Sequence, residues 1–353
     1  MDSENGPVGG LANTPPENRE GRRGRKWPWV VGGLAVLGIL FAAATIAALA
    51  LAFGSGASGI SSSSPIVYDE EYISGEGSDK VAVVPVEGVI SSADNSVSST
   101  QATVTPEGLK EALRQAKDDD SVKAVVLEVN SPGGGVTASD EMHQSILDFE
   151  KSTGEPIVVS MGDVAASGGY YISTAADKIV ANETTLTGSL GVILELSNFS
   201  ELADKYGYKE EIIKSGKYKD MGSQFRKLTP EERSIFQKIV DENYDQFVDV
   251  ISKGRDLPKE KVREIADGRV YSGEQAKKLG LVDEFGGLDE ATKLSREMAG
   301  VKDARVVRYV QKPTLTDTLL ARLAPQKPEA VQLMEAAGID FSAEPEYLYR
   351  RGR

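Results

Sequence analysis

The pattern of apolar and polar positions divides the chain into unlike stretches. Residues 1–26 are polar, rich in Gly, Pro and charge, and end in Arg22-Arg23-Gly24-Arg25-Lys26. Such a stretch cannot bury enough apolar surface to offset chain entropy and is expected to be disordered. Residues 27–53 are apolar on every face and carry no charge. A helix of that length, at about 1.5 Å per residue, spans roughly 40 Å and crosses a bilayer with some tilt. The basic cluster before it places the N-terminus on the cytoplasmic side and everything after residue 53 outside. The run exceeds the apolar core of a usual signal peptide and follows a long leader, so an uncleaved signal anchor is expected. Residues 54–64, built from Gly, Ser and Ala with one Ile, read as a tether. With the acidic stretch 69–79 they make an expected flexible linker over 54–79.

From residue 80 to 312 the pattern alternates between strand and helix. Residues 81–90 and 122–129 are β-branched and apolar, as in strands buried on both faces. Thr105-Pro106-Glu107 predicts an N-cap with Pro at the first helical position, ahead of Leu109 and Leu113. A helix is expected over 138–149, a short strand over 156–160, a Gly-rich turn and helix over 167–176, and short strands near 179–180 and 184–186. The longest helix is expected over 230–253. Thr229 would cap it, Glu232 would close a capping box, and Phe236, Val240, Tyr244, Phe247 and Ile251 would form its apolar face. Gly254 is expected as its C-terminal stop. Ser272-Gly273-Glu274-Gln275 opens another helix ended by Gly280. Alternating β and α predicts a layered α/β domain over 80–312. Residues 313–353, with Pro313, Pro325 and Pro328, read as a tail ending in Tyr347-Leu348-Tyr349-Arg350-Arg351 before the last two residues.

Composition narrows the chemistry. Lys and Arg number 40 against 54 Asp and Glu, a net charge of −14. That balance speaks against a general nucleic-acid binder. Cys is absent and His143 is the single histidine. Disulfides, zinc–thiolate sites, iron–sulfur clusters, cysteine nucleophiles and multi-histidine metal sites are thereby excluded. A Ser-His-Asp triad would have to use His143, which falls in a helical pattern beside Glu141 and Gln144.

Three glycine-rich segments follow strands: Asn130-Ser131-Pro132-Gly133-Gly134-Gly135, Ala165-Ala166-Ser167-Gly168-Gly169-Tyr170 and Thr187-Gly188-Ser189-Leu190-Gly191. Consecutive glycines leave backbone N–H groups approachable, and such groups stabilise negative charge developing on oxygen. Each also reads as a tight turn. The spacing is not that of a Walker A loop. Ser167 stands where a helix begins, a position equally suited to a nucleophile and to an N-cap. It is not in a G-x-S-x-G elbow, because Ala165 replaces the first Gly. Lysine can replace histidine as the base when it is neutral, a state favoured by burial. Lys214, Lys217 and Lys219 lie together in Lys214-Ser215-Gly216-Lys217-Tyr218-Lys219-Asp220. Composition does not choose among them.

Taken in order, these segments resemble the signal peptide peptidase SppA family in its short, membrane-anchored form. Ala266-Asp267-Gly268-Arg269-Val270-Tyr271-Ser272-Gly273 extends the likeness, which runs over 81–309. The resemblance implies a Clp protease/crotonase-like fold of stacked β-β-α units, preceded by one transmembrane helix. It implies a Ser/Lys dyad in which Ser167 is the nucleophile, Lys219 the general base, and Ser189 a hydroxyl that orients the lysine amine. The backbone N–H groups of Gly134, or second to it Gly133, and of Gly168 would form the oxyanion hole. No metal or cofactor is implied. Turnover should then rise with pH as the lysine loses its proton. The resemblance further implies a dome-like homo-oligomeric ring in which Ser and Lys meet across protomer boundaries. Substrates would be released signal peptides or other short apolar peptides, bound extended by strand addition at the outer face of the cell membrane. The tail would reach an active site as an inhibitory or self-processed segment. Three other readings are weighed against this one: a related membrane Ser/Lys protease for one protein partner, a crotonase-like acyl-CoA enzyme, and a non-enzymatic peptide-binding membrane protein. The extracytoplasmic placement speaks against the second, and retention of both Ser167 and Lys219 against the third.

Overall fold

The computed structural model describes residues 66–92 and 102–311, and the backbone of 346–348. The expected leader, anchor, tether and most of the tail lie outside the described residues. Among the described residues no helix is long and apolar enough to cross a membrane.

In chain order the elements are β1 Asp69–Ser74, β2 Asp79–Ile90, β3 Thr103–Val104, α1 Pro106–Asp118, β4 Val122–Gly135, α2 Val136–Thr153, β5 Ile157–Ala166 and α3 Gly168–Ser173. There follow β6 Lys178–Ala181, β7 Leu186–Gly188, α4 Ser200–Lys205, α5 Pro230–Gly254, α6 Lys259–Ile265, β8 Val270–Ser272 and α7 Gly273–Leu279. The last are β9 Glu284–Phe285, α8 Leu288–Ala299, β10 Ala304–Val310 and β11 Glu346–Leu348. The strands join in one sheet of order β1-β10-β2-β4-β5-β6-β9, with β3 on β2, β7 between β5 and β8, and β11 on β4. β10, β2, β4, β5, β6 and β9 run parallel, and β1 is an antiparallel edge. This is the mixed α/β layering expected from the alternation.

The sheet is buried on both faces, which is why its central strands are continuously apolar. Ala82, Val84, Val125, Leu127 and Val159 face the main core with α1, α2 and α3. Val81, Val83, Ala124, Val126 and Val158 face the other side, where Ala291 of α8 packs. The Thr105 cap, the Thr229–Glu232 capping box and the Ser272–Gln275 capping box all form.

Four expectations are corrected. Residues 69–74, placed in a flexible linker, form β1, paired with β10. Their side chains are exposed along this edge, so no apolar pattern announced the strand. β5 extends to Ala166 instead of ending near 160, because its later residues pair with β7. The helix expected over 167–176 ends at Ser173. Gly254 does not stop α5 with a left-handed turn. It is the last helical residue, and a Cβ there would lie 2.1 Å from the Thr174 carbonyl oxygen, so it permits close packing on the turn after α3.

Candidate active site

The three glycine-rich segments converge at the carboxyl ends of β4, β5 and β7, the end of a parallel sheet where ligands bind. β5 and β7 stay paired to Ala166 and Gly188, so Ser167 and Ser189 leave the sheet side by side. The Ser167 N–H donates to the Gly188 carbonyl at 2.8 Å, and the Ser189 N–H donates to the Arg269 carbonyl at 2.8 Å. Both serines hold φ values that L-residues rarely adopt, 53° for Ser167 and 51° for Ser189. Strain of this kind persists only where its surroundings enforce it, and it gathers at functional sites.

Ser167 is 1% exposed, yet its Oγ has no hydrogen-bond partner among the described residues. It precedes α3 without capping it. The ordinary use of a serine at this position is therefore not made. A buried hydroxyl without a partner costs free energy, which is tolerable where substrate or a second group completes it.

The glycines around it are fixed by space. A Cβ on Gly168 would meet Ser139 Oγ at 2.5 Å and the Gly134 nitrogen at 3.2 Å. A Cβ on Gly134 would lie 1.9 Å from the Ile90 carbonyl oxygen. The 133–134 peptide is thus packed directly against Gly168, bringing together the two backbone segments expected to hold an oxyanion. Sequence reasoning missed two small side chains that brace this strand. Ser131 Oγ accepts from the Gly133 N–H at 3.1 Å, and Ser139 Oγ donates to the Gly135 carbonyl at 2.9 Å. Nothing but their proximity to the glycines could have marked them.

The lysine loop shows a difference the sequence could not. Lys214 Nζ donates to Asp220 Oδ1 at 2.5 Å and to the Lys217 carbonyl at 3.1 Å. Lys217 is ion-paired with Glu231, which raises its pKa, chiefly through that hydrogen bond. Lys219 is exposed and has neither hydrogen bond nor ion pair through its amine among the described residues. Within the single chain it is not hydrogen-bonded to Ser167. His143 is buried on α2, edge-on to Tyr171 at 5.3 Å between ring centres, and makes no hydrogen bond to Ser167. Burial pulls its pKa down to about 4.

The profile of peptidase family S49 matches residues 150–302, which hold Ser167, Ser189 and Lys219. A protein described as a signal peptide peptidase SppA, from Enterococcus faecium, is 38% identical over 243 residues, 69% of this chain and 70% of that protein. The chain belongs to peptidase family S49. It is a serine peptidase of the SppA type. The chloroplastic serine protease SPPA of Arabidopsis thaliana is 36% identical over 67% of this chain, but only 35% of that longer protein is covered. Among solved structures, a ClpP1 mutant from Listeria monocytogenes aligns at a TM-score of 0.39 and 18% identity, covering 59% of this chain and 93% of the other. That likeness is too low to assign a fold type by itself.

Proposed function

We propose that this S49 peptidase is a membrane-anchored endopeptidase that uses a Ser167/Lys219 dyad on short, apolar, extended peptides, released signal peptides among them. The observation that carries the reading is the buried Ser167 Oγ, without a partner among the described residues and in strained backbone next to Gly168, which packs against the Gly133–Gly134 peptide. Neutral Lys219 takes the Ser167 proton as Oγ attacks the peptide carbonyl. The N–H groups of Gly134 and Gly168 hold the resulting oxyanion. Protonated Lys219 passes its proton to the leaving amine, and the acyl-enzyme forms. Lys219 then takes a proton from water, hydroxide attacks the ester, and Ser167 recovers its proton as the acid departs. Ser189, backbone-paired beside Ser167, orients the lysine amine.

Of the three neighbouring lysines, Lys219 alone makes no ion pair among the described residues, which supports it as the base. Among the described residues of one chain Lys219 makes no hydrogen bond to Ser167, which supports a site completed by a second copy. The segment that carries it exposes Leu202, Tyr206, Tyr208, Ile213 and Phe225, with Ile213 97% exposed, an apolar surface suited to that contact. Residues 27–53 supply the anchor in this reading, with the catalytic domain outside the cell membrane. Strand addition is supported by β11, which lies antiparallel on β4 with Glu346, Tyr347 and Leu348 opposite Gly135, Gly134 and Gly133.

The test is a serine-directed fluorophosphonate on the full chain in detergent. Labelling located by mass spectrometry at Ser167, with peptide turnover lost in Ser167→Ala, is the expected result. Labelling elsewhere, or full turnover by Ser167→Ala, would overturn the assignment.

A further inference from the structure

The turn that carries Lys219 is held by one side chain that the mechanism above does not use. Residues 216–223 fold as successive turns: the Lys219 N–H donates to the Gly216 carbonyl, Met221 to Tyr218, and Ser223 to Asp220. Arg226 grips this array at its centre. Its Nε donates to Asp220 Oδ2 at 2.9 Å and its Nη2 to the Asp220 carbonyl at 3.0 Å. The same guanidinium donates to both Glu232 oxygens, at 2.8 and 2.5 Å. Glu232 is buried and is itself fixed, accepting the Thr229 N–H at 2.9 Å in the capping box of α5. Arg226 therefore bolts the residue next to Lys219 to the start of the longest helix.

The charges matter as much as the geometry. Asp220 adjoins Lys219 in the chain, and a carboxylate within reach of an amine favours its protonated, non-basic form. Here Asp220 is claimed by Arg226 and Lys214, which hold its carboxyl well below the usual range. The other charges on this loop are paired as well, Lys217 with Glu231 and Glu232 with Arg226.

We propose that Arg226 is a positioning residue for the reaction, fixing the Lys219 turn to α5 and occupying Asp220 so that the Lys219 amine is left unpaired. The proposal rests on the reading of Lys219 as the base. A five-donor planar fork is needed to engage two carboxylates and a carbonyl together, which lysine cannot reproduce, although it keeps the charge.

The experiment uses the full chain in detergent, a fluorogenic apolar peptide, and separate kcat and KM values. Arg226→Gln is expected to lower kcat by about ten- to a hundredfold, with KM within about twofold, since a mispositioned base affects the transition state rather than substrate binding. Arg226→Lys should lie clearly nearer to wild type, because it still neutralises Asp220 in part, and its remaining deficit should ease when Asp220→Asn is added. Asp220→Asn added to Arg226→Gln should recover part of the lost kcat. A merely structural role would leave Gln and Lys variants equally impaired and the double variant worse. Wild-type kcat in Arg226→Gln, or no recovery in the double variant, would overturn the proposal. If Arg226→Gln does not fold, Arg226→Lys with and without Asp220→Asn carries the same comparison: a kcat deficit eased by Asp220→Asn supports the proposal, and a deficit deepened by it refutes it. Lys219→Ala separates the two levels. Full turnover in Lys219→Ala removes the base assignment itself, whereas a dead Lys219→Ala beside an unaffected Arg226→Gln removes only the role of Arg226.

Discussion

Ser167 concentrates the cost of the site. A non-glycine residue at positive φ carries about 1–3 kcal/mol of strain. Replacing it with glycine removes that strain and gives back about 0.5–1 kcal/mol in unfolded-chain entropy. Ser167→Gly is therefore expected to raise the melting temperature by a few degrees while abolishing turnover, which thermal melts and peptide hydrolysis check together. His143 makes the opposite contribution. Burial pulls its folded pKa from 6.5 to about 4, with Asp140 opposing the shift. The unfolded chain then binds a proton near pH 6.5 that the folded chain refuses until about pH 4. Stability is full above 6.5 and falls by about 3 kcal/mol as pH drops through that window. His143→Met should flatten this part of the stability–pH curve and keep its turnover. An unchanged decline would assign the loss to other groups. The glycine context made Ser167 visible in the sequence as a candidate, and the histidine count did so for His143. It could not separate Lys219 from Lys214 and Lys217, because the carboxylate that occupies Lys217 comes from Glu231 at the start of α5, fourteen residues on. Arg226 was invisible for the same reason.

At the scale of elements, legibility followed burial. The two-sided core strands β2 and β4 and the capped helices α1, α5 and α7 announced themselves by continuous apolar runs and cap residues. The exposed edge β1 did not, and neither did the far end of β5, where Gly162 and Asp163 interrupt the apolar run before Ser167. β11 is the element with the clearest functional consequence. Its pairing opposite Gly133–Gly135 occupies the edge proposed above for an extended substrate. The tail is expected to behave as an inhibitory or self-processed segment. Intact-mass measurement of the wild-type chain should then find shortening near 346–349, absent from Ser167→Ala. An intact tail in both, with no gain of activity on deleting residues 346–348, would count against the idea.

For the whole molecule, Ser167 Oγ makes no hydrogen bond to a lysine among the described residues, in keeping with the proposed shared site. Ser167→Ala and Lys219→Ala, each inactive alone, should regain part of wild-type turnover when co-assembled, since each mixed boundary can pair an intact Ser167 with an intact Lys219. No recovery in verified mixed oligomers would place both residues in one protomer. The apolar run at 27–53 and the acidic net charge were readable at once from the sequence. The family itself was legible because three glycine-rich strand ends stand in this chain in one order, and close backbone approach at Gly134, Gly168 and Gly188 leaves little freedom in residue type.

The dyad is the centre of the account, and lysine choice tests it most directly. Hydrolysis of one apolar peptide would be compared for the full chain and for Lys214→Ala, Lys217→Ala and Lys219→Ala at matched oligomeric state. The expected result is that Lys219→Ala alone falls to background, by about a thousandfold or more, as general bases paired with a serine nucleophile require. Turnover surviving in Lys219→Ala, or lost equally in all three, would contradict it.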